Sequence, residues 1–143
     1  SGLALKVFDG YRPQRAVDFF GRWAADSADT LMQQRFYPRV AKQDLFTLGY
    51  LVKQSSHSRG STLDLTLIDA ISGDELDMGT EFDFFDLLSW PSATAVSASQ
   101  RANRLLLRSV MTQAGFAGVE EEWWHFTLRD EPYADRYFDF AIR

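Results

Sequence analysis

Two histidines are the only imidazoles in a chain of 143 residues that has no cysteine, so any metal or proton chemistry must draw on them and on carboxylates. His57 lies in the polar, glycine-bearing run Gln54-Ser55-Ser56-His57-Ser58-Arg59-Gly60-Ser61. Seven residues later Asp64 interrupts a run with leucines at 63, 65 and 67. A carboxylate in such a strand is costly to bury unless something positive pairs with it. His125 closes the run Glu122-Trp123-Trp124-His125. Taken singly, each histidine reads more readily as a satisfied structural residue than as a ligand. Taken with Asp64, they supply two nitrogens and a carboxylate oxygen, a set that binds zinc at about 2.0–2.2 Å. Three protein ligands leave the fourth position to water, which is the catalytic arrangement, and zinc brings the pKa of that water to about 7.

Such a site needs a base. Glu122 is the natural candidate, with Glu120 and Glu121 as rivals that by position could equally be solvated surface charges. On an ideal strand residues three apart face opposite ways, so a bend must bring Glu122 and His125 to one metal. Arg12 follows Gly10-Tyr11 at the end of a first strand. It reads either as a surface partner of Asp9 or Asp18, or as a donor to the oxygen that turns negative when water attacks an amide. Donors of the second kind are worth about 10²–10³ in rate.

The elements that must position these groups are legible from periodicity. Leu3, Leu5 and Val7 alternate as a short strand, and Leu63, Leu65 and Leu67 predict a second over 61–69, with Asp64 on the opposite face. Ser72-Gly73-Asp74 reads as a hairpin turn returning through Leu76 and Met78. Pro13 suits the first position of a helix over 13–26, with Ala16, Phe19, Phe20, Trp23 and Ala24 on its buried face. A second helix is expected over 98–114, opened by a Ser97/Gln100 capping box, striped by Ala102, Leu105, Leu106 and Val110, and stopped at Gly115. Residues 27–50 read as short helical pieces and loops. Phe116 to Leu128 looks strand-like with a loop near Gly118, and the aromatic tail from Pro132 is expected to pack back onto the body. Strand, helix, strands, helix, strand implies an α+β domain with a central antiparallel sheet flanked by helices.

Bulk properties narrow the function classes. The length suits one domain, and 45% hydrophobic residues with 12 Phe, 5 Tyr and 4 Trp are enough for a core. A net charge of −5 without any run of Lys or Arg argues against nucleic acid as a partner. No apolar stretch approaches the roughly 18 residues of a membrane span. Without cysteine there are no disulfides, thiol nucleophiles or cysteine zinc fingers.

Several segments together resemble the VanX-like D-alanyl-D-alanine dipeptidases, a branch of the zinc D-Ala-D-Ala metallopeptidases. They are Asp9-Gly10-Tyr11-Arg12-Pro13, Ser56-His57-Ser58-Arg59-Gly60-Ser61 through Asp64-Leu65-Thr66-Leu67, Asp77-Met78-Gly79, Phe82-Asp83, Asn103 to Arg108, Glu122-Trp123-Trp124-His125, and Arg129-Asp130-Glu131-Pro132-Tyr133. The resemblance implies a Hedgehog/DD-peptidase-like fold and zinc held by His57, Asp64 and His125. It further implies Glu122 as general base and Arg12 steadying the tetrahedral intermediate. Asp83 matches a position that holds the substrate's ammonium, and Ser55 one near its carboxylate. The implied reaction is hydrolysis of free D-Ala-D-Ala in cell-wall metabolism. The alternatives are a zinc D,D-carboxypeptidase or endopeptidase on wall stem peptides, or a zinc-stabilised module that binds without cutting. A periplasmic or envelope location is implied, with the cytoplasm as the alternative. Family members carry a further segment before the first strand that helps wall the pocket. The expectation is therefore a single zinc peptidase domain over 1–143 lacking that portion.

Overall fold

The computed structural model describes residues 2–142. Its sheet contains β1 (Leu3–Asp9), β2 (Thr62–Asp69), β3 (Phe116–Gly118) and β4 (His125–Leu128) in the order β1-β2-β4-β3, every pairing antiparallel. Helices α1 (Gln14–Ala25), α2 (Gln33–Phe36) and α3 (Ala98–Gln113) complete the α+β architecture that the order of elements implied. No helix among the described residues is long and apolar enough to cross a membrane.

The central strand is β2, and its two registers create the functional centre. On one side Asp64 stands opposite His125 of β4. On the other, a bulge between Val7 and Asp9 brings Asp9 opposite the same Asp64. Directly opposed residues have Cβ atoms about 4.5–5.5 Å apart, and a bulge re-aims the strand it interrupts. The carboxylate that looked out of place among leucines therefore sits where three strands meet. Its neighbours Leu65 and Leu67 join Leu107, Met111, Trp123, Trp124 and Phe126 in the main core. A second cluster of Tyr37, Leu45 and Tyr50 packs under Trp23 and Phe36, and Phe85 touches both.

The helices depart from expectation in an instructive way. The capping box of α3 forms as read, Ser97 Oγ accepting from Gln100 N and Gln100 Oε1 accepting from Ser97 N, and Gly115 ends it at φ +89°. Its buried stripe is Arg104, Leu107 and Met111, whereas Leu105, Leu106 and Val110 are exposed. Arg104 displaces the apolar reading because its Nε and Nη1 donate to the carbonyls of Met78 (2.6 Å) and Trp90 (2.9 Å), which offset much of the cost of burying the charge although Nη2 finds no partner. Pro13 is the N-cap of α1 rather than its first residue, and the helix buries Val17 and Ala24. Phe19 and Phe20 are exposed and, with half-buried Trp23, line a cavity beside the sheet. The return after Ser72-Gly73-Asp74 is an isolated bridge, Ile68 to Glu75, because Asp77 Oδ1 accepts from Gly79 N and turns the chain toward α3.

Leu107 has no solvent exposure in the main core. Leu107→Ala is expected to cost about 2–5 kcal/mol through lost burial and a residual cavity, read as a lowered urea midpoint at unchanged slope. A loss under about 1 kcal/mol would mean that the site collapses around the smaller side chain.

Candidate metal centre

Asp64 and His125 face the same side of the sheet because they are opposed in the ladder, and His125 Nδ1 lies 3.0 Å from Asp64 Oδ1. His57 arrives from a single 3₁₀ turn, Ser56–Arg59, and places Nε2 3.1 Å from Asp64 Oδ2. That turn is fixed at both ends. Ser55 Oγ accepts from His57 N at 3.2 Å, and Gly60 stops it at φ +82°, a conformation that favours glycine. Ligand atoms of the three residues all lie within 4.8 Å of one another.

The chemistry of this donor set fits a cation. His57 Nδ1 is 2.7 Å from the carbonyl oxygen of Gly10, which can only accept, so Nδ1 carries the proton. In a neutral ring Nε2 then presents a lone pair to a carboxylate oxygen, two acceptors in contact unless a positive charge lies between them. Asp64 Oδ1 is buried and has no donor in hydrogen-bond geometry, its contact with His125 Nδ1 notwithstanding. A buried carboxylate oxygen left bare is a costly arrangement that a metal ion relieves. With no ion present, burial acts to raise the pKa of Asp64, but proton donation and positive charge from His125 and His57 outweigh it and hold the carboxyl below its ordinary range. Ser56 Oγ, 3.2 Å from His125 Nε2, orients the second ring as the Gly10 carbonyl orients the first.

Glu122 joins them, its Oε2 3.6 Å from His125 Nδ1. The required bend lies in the sequence between them. Strand β4 begins only at His125, and Trp123-Trp124 form a turn anchored by Trp123 N to Ser89 O, Leu65 N to Trp124 O, and Trp123 Nε1 to Thr80 Oγ1. Burial, then the charges of Asp64 and Asp83, push the pKa of Glu122 well above the ordinary carboxylate range. Of its rivals, Glu120 is exposed and Glu121 stands on the cavity wall.

The two readings of Arg12 prove compatible. Its Nε and Nη2 donate to Asp9 Oδ2 at 2.8 and 2.5 Å, while Nη2 is also 3.7 Å from Asp64 Oδ2. Asp18 takes no part and accepts from Gln14 instead. Asp83 lines the same cavity with a left-handed backbone, φ +62°. Burial, then the charge of Asp64, raise its pKa to about 7. Ser55 also lines the cavity, and its hydroxyl already serves the His57 turn. The fold thus brings together all seven residues singled out from sequence. Three contributors escaped that reading. By sequence Asp9 reads only as a surface partner of Arg12 and Ser56 only as part of the loop, and a backbone carbonyl such as that of Gly10 has no residue-type signature.

The cavity measures about 570 Å³, with the polar cluster at its base and Phe19, Phe20, Trp23, Phe36 and Phe85 on its wall. A family model described as D-Ala-D-Ala dipeptidase matches residues 1–143. Among curated proteins, the D-alanyl-D-alanine dipeptidase of Enterococcus faecalis is 47% identical over 99% of this chain and 70% of its own length. That of Streptomyces coelicolor is 45% identical over the same shares. The Escherichia coli enzyme of that name is 38% identical over 90% of this chain and 56% of its own. With the match running the full length of the sequence and the histidine–aspartate cluster at the heart of the sheet, the chain belongs to the D-Ala-D-Ala dipeptidase family of peptidases.

Proposed function

We propose that this chain hydrolyses the peptide bond of free D-alanyl-D-alanine at a zinc centre. The observation that carries the reading is the meeting of the His57, Asp64 and His125 donor atoms within 4.8 Å, at the base of a cavity that Glu122, Arg12 and Asp83 also line. His57 Nε2, the Asp64 carboxylate and His125 Nδ1 would hold the ion. When bound there, zinc supplies a Lewis acid that polarises a carbonyl and brings the pKa of water to about 7. Glu122 takes the proton of the attacking water as the new C–O bond forms. Largely shielded beside Asp64 and Asp83, it holds that proton more readily than an exposed carboxylate, and hands it to the leaving amine as the C–N bond breaks. Two molecules of D-alanine result. Asp9 occupies Nε and Nη2 of Arg12 and so fixes the guanidinium beside the cluster, where it meets the developing oxyanion. Asp83 receives the substrate ammonium, whose charge favours the ionised carboxyl, and Ser55 lies toward the substrate carboxylate.

Turnover of D-Ala-D-Ala, measured as released D-alanine with metal content determined in parallel, tests the assignment. The chain is expected to be active with bound zinc, inactive after chelation and restored by zinc. Zinc-loaded chain that leaves the dipeptide intact rejects it. In the same assay Arg12→Lys keeps the charge and loses the planar fork. It should lower kcat by about 10²–10³-fold with metal content unchanged. A wild-type kcat would remove Arg12 from the reaction.

One observation favours a second reading. A cavity of about 570 Å³ lies in the range that accommodates drug-sized ligands, more than two alanines fill. This suits a stem peptide ending in D-Ala-D-Ala, and comparing kcat/KM for the free dipeptide and a stem pentapeptide decides between the two.

A further inference from the structure

The turn that carries His57 is four residues long, too short to be stable by its own hydrogen bonds. Part of what holds it comes from residues 131–138, far along the chain. Arg59, the last residue of the turn, donates from Nε (2.8 Å) and Nη2 (2.6 Å) to the two carboxylate oxygens of Glu131. The pair is largely shielded, with side chains 17% and 10% exposed. The Arg59 guanidinium also lies 5.6 Å from the ring centroid of Tyr137. One residue further, Phe138 N donates to the Ser58 carbonyl at 2.8 Å, and the Phe138 carbonyl accepts from Gln14 N at 3.0 Å. Phe140 stacks on Tyr11 at 4.2 Å and accepts from its hydroxyl, and Asp139 pairs with Arg15. The tail thus ties the His57 turn to the residues on both sides of Arg12. Ser58 Oγ closes the ring by donating to the Arg12 carbonyl at 2.8 Å.

We propose that Arg59 and Glu131 are positioning residues for the metal site, a clasp through which the tail 131–140 sets the placement of His57. The inference rests on the zinc reading above, but concerns residues outside the metal-ligand set, of which Arg59 reaches the cavity wall. A bidentate arginine–carboxylate pair fixes orientation as well as distance, which a lysine point charge does not. Outer partners that orient metal ligands are worth about 10–100-fold in metal affinity or activity.

The experiment measures the zinc Kd of the full chain by competition with a chromophoric chelator, without substrate, alongside Tm and D-Ala-D-Ala turnover. Glu131→Gln and Arg59→Lys are each expected to weaken zinc binding about 10–100-fold, with activity largely recovered in excess zinc. The double substitution should weaken binding no more than the more severe single one, because the two residues act as a unit. Lys6→Gln, which removes an exposed pair with Glu75, is expected to change neither zinc binding nor turnover. Should Glu131→Gln fail to fold, Arg59→Lys, which keeps the positive charge, carries the test. A lowered Tm with an unchanged zinc Kd would reduce the clasp to a structural tie and overturn the proposal. A wild-type chain that takes up no zinc would overturn the site assignment, and the clasp with it. Wild-type affinity in both single variants would overturn the clasp alone.

Discussion

Turnover of D-Ala-D-Ala is expected to fall by about 10²–10⁴-fold in Glu122→Gln, the range ascribed to a positioned general base, with metal binding retained. Glutamine matches glutamate in shape but has no site that accepts a proton near neutral pH. Metal retention follows from geometry, since the three ligand atoms of His57, Asp64 and His125 cluster without Glu122. Stability gives the prediction a second edge. Glu122 is largely shielded near Asp64 and Asp83, and the raised pKa reflects first that desolvation and then those like charges. Removing a charge from such a place relieves repulsion, so the variant should melt at or above the wild-type temperature. A group whose folded pKa is raised binds more protons folded than unfolded across the interval between the two values. In metal-free protein its carboxyl therefore favours the fold most at acid pH and less as pH rises. The Glu122→Gln chain lacks that decline. Exposed Glu120 provides the control, and Glu120→Gln should turn over like wild type. An inactive variant that had also lost zinc or unfolded would not implicate a base, and a fully active one would reject it.

What could be read from the sequence was whatever a periodic pattern or a misplaced residue type reveals. Asp64 stood out because leucines flank it in strict alternation, and His57 because its loop is polar. The pairing of Asp64 with His125 was another matter. It depends on residues 116–128 dividing into two strands, with β4 starting at His125 itself, and two buried tryptophans make that division by anchoring a turn. The segment's aromatic residues, Phe116 at one end and Trp123, Trp124 and Phe126 toward the other, read as one interrupted strand until tertiary contacts are known. The exposed faces of α1 and α3 went astray for a related reason. Counting apolar side chains assigns Leu105 and Leu106 to the interior, but Arg104 wins the place because two backbone carbonyls at 2.6 and 2.9 Å accept its guanidinium. Such partners come from segments 14 and 26 residues away, beyond the reach of any local pattern.

Asp64→Asn is expected to abolish activity through the metal itself. Asparagine retains the volume and one acceptor oxygen but not the charge, in a position 2% exposed where two imidazoles converge. Breaking a buried charge pair by removing one partner costs about 3–5 kcal/mol, which corresponds to zinc binding about 10²–10⁴-fold weaker. Ligand linkage makes this visible without an assay of catalysis. A ligand at 100 times its Kd stabilises the folded state by about 2.7 kcal/mol, so zinc concentrations that raise the wild-type Tm should leave the variant unmoved. The metal-free proteins supply a further sign. The folded pKa of Asp64 lies below its ordinary value, so its contribution to stability is complete above the unfolded pKa and is lost as pH falls through the folded one. Wild type should therefore shed more stability than the variant between neutral pH and acid below the ordinary carboxylate pKa. Equal zinc affinity in the two chains would mean that this strand carboxylate does not hold the ion. The bare oxygen at the meeting of β1, β2 and β4 would then require another partner.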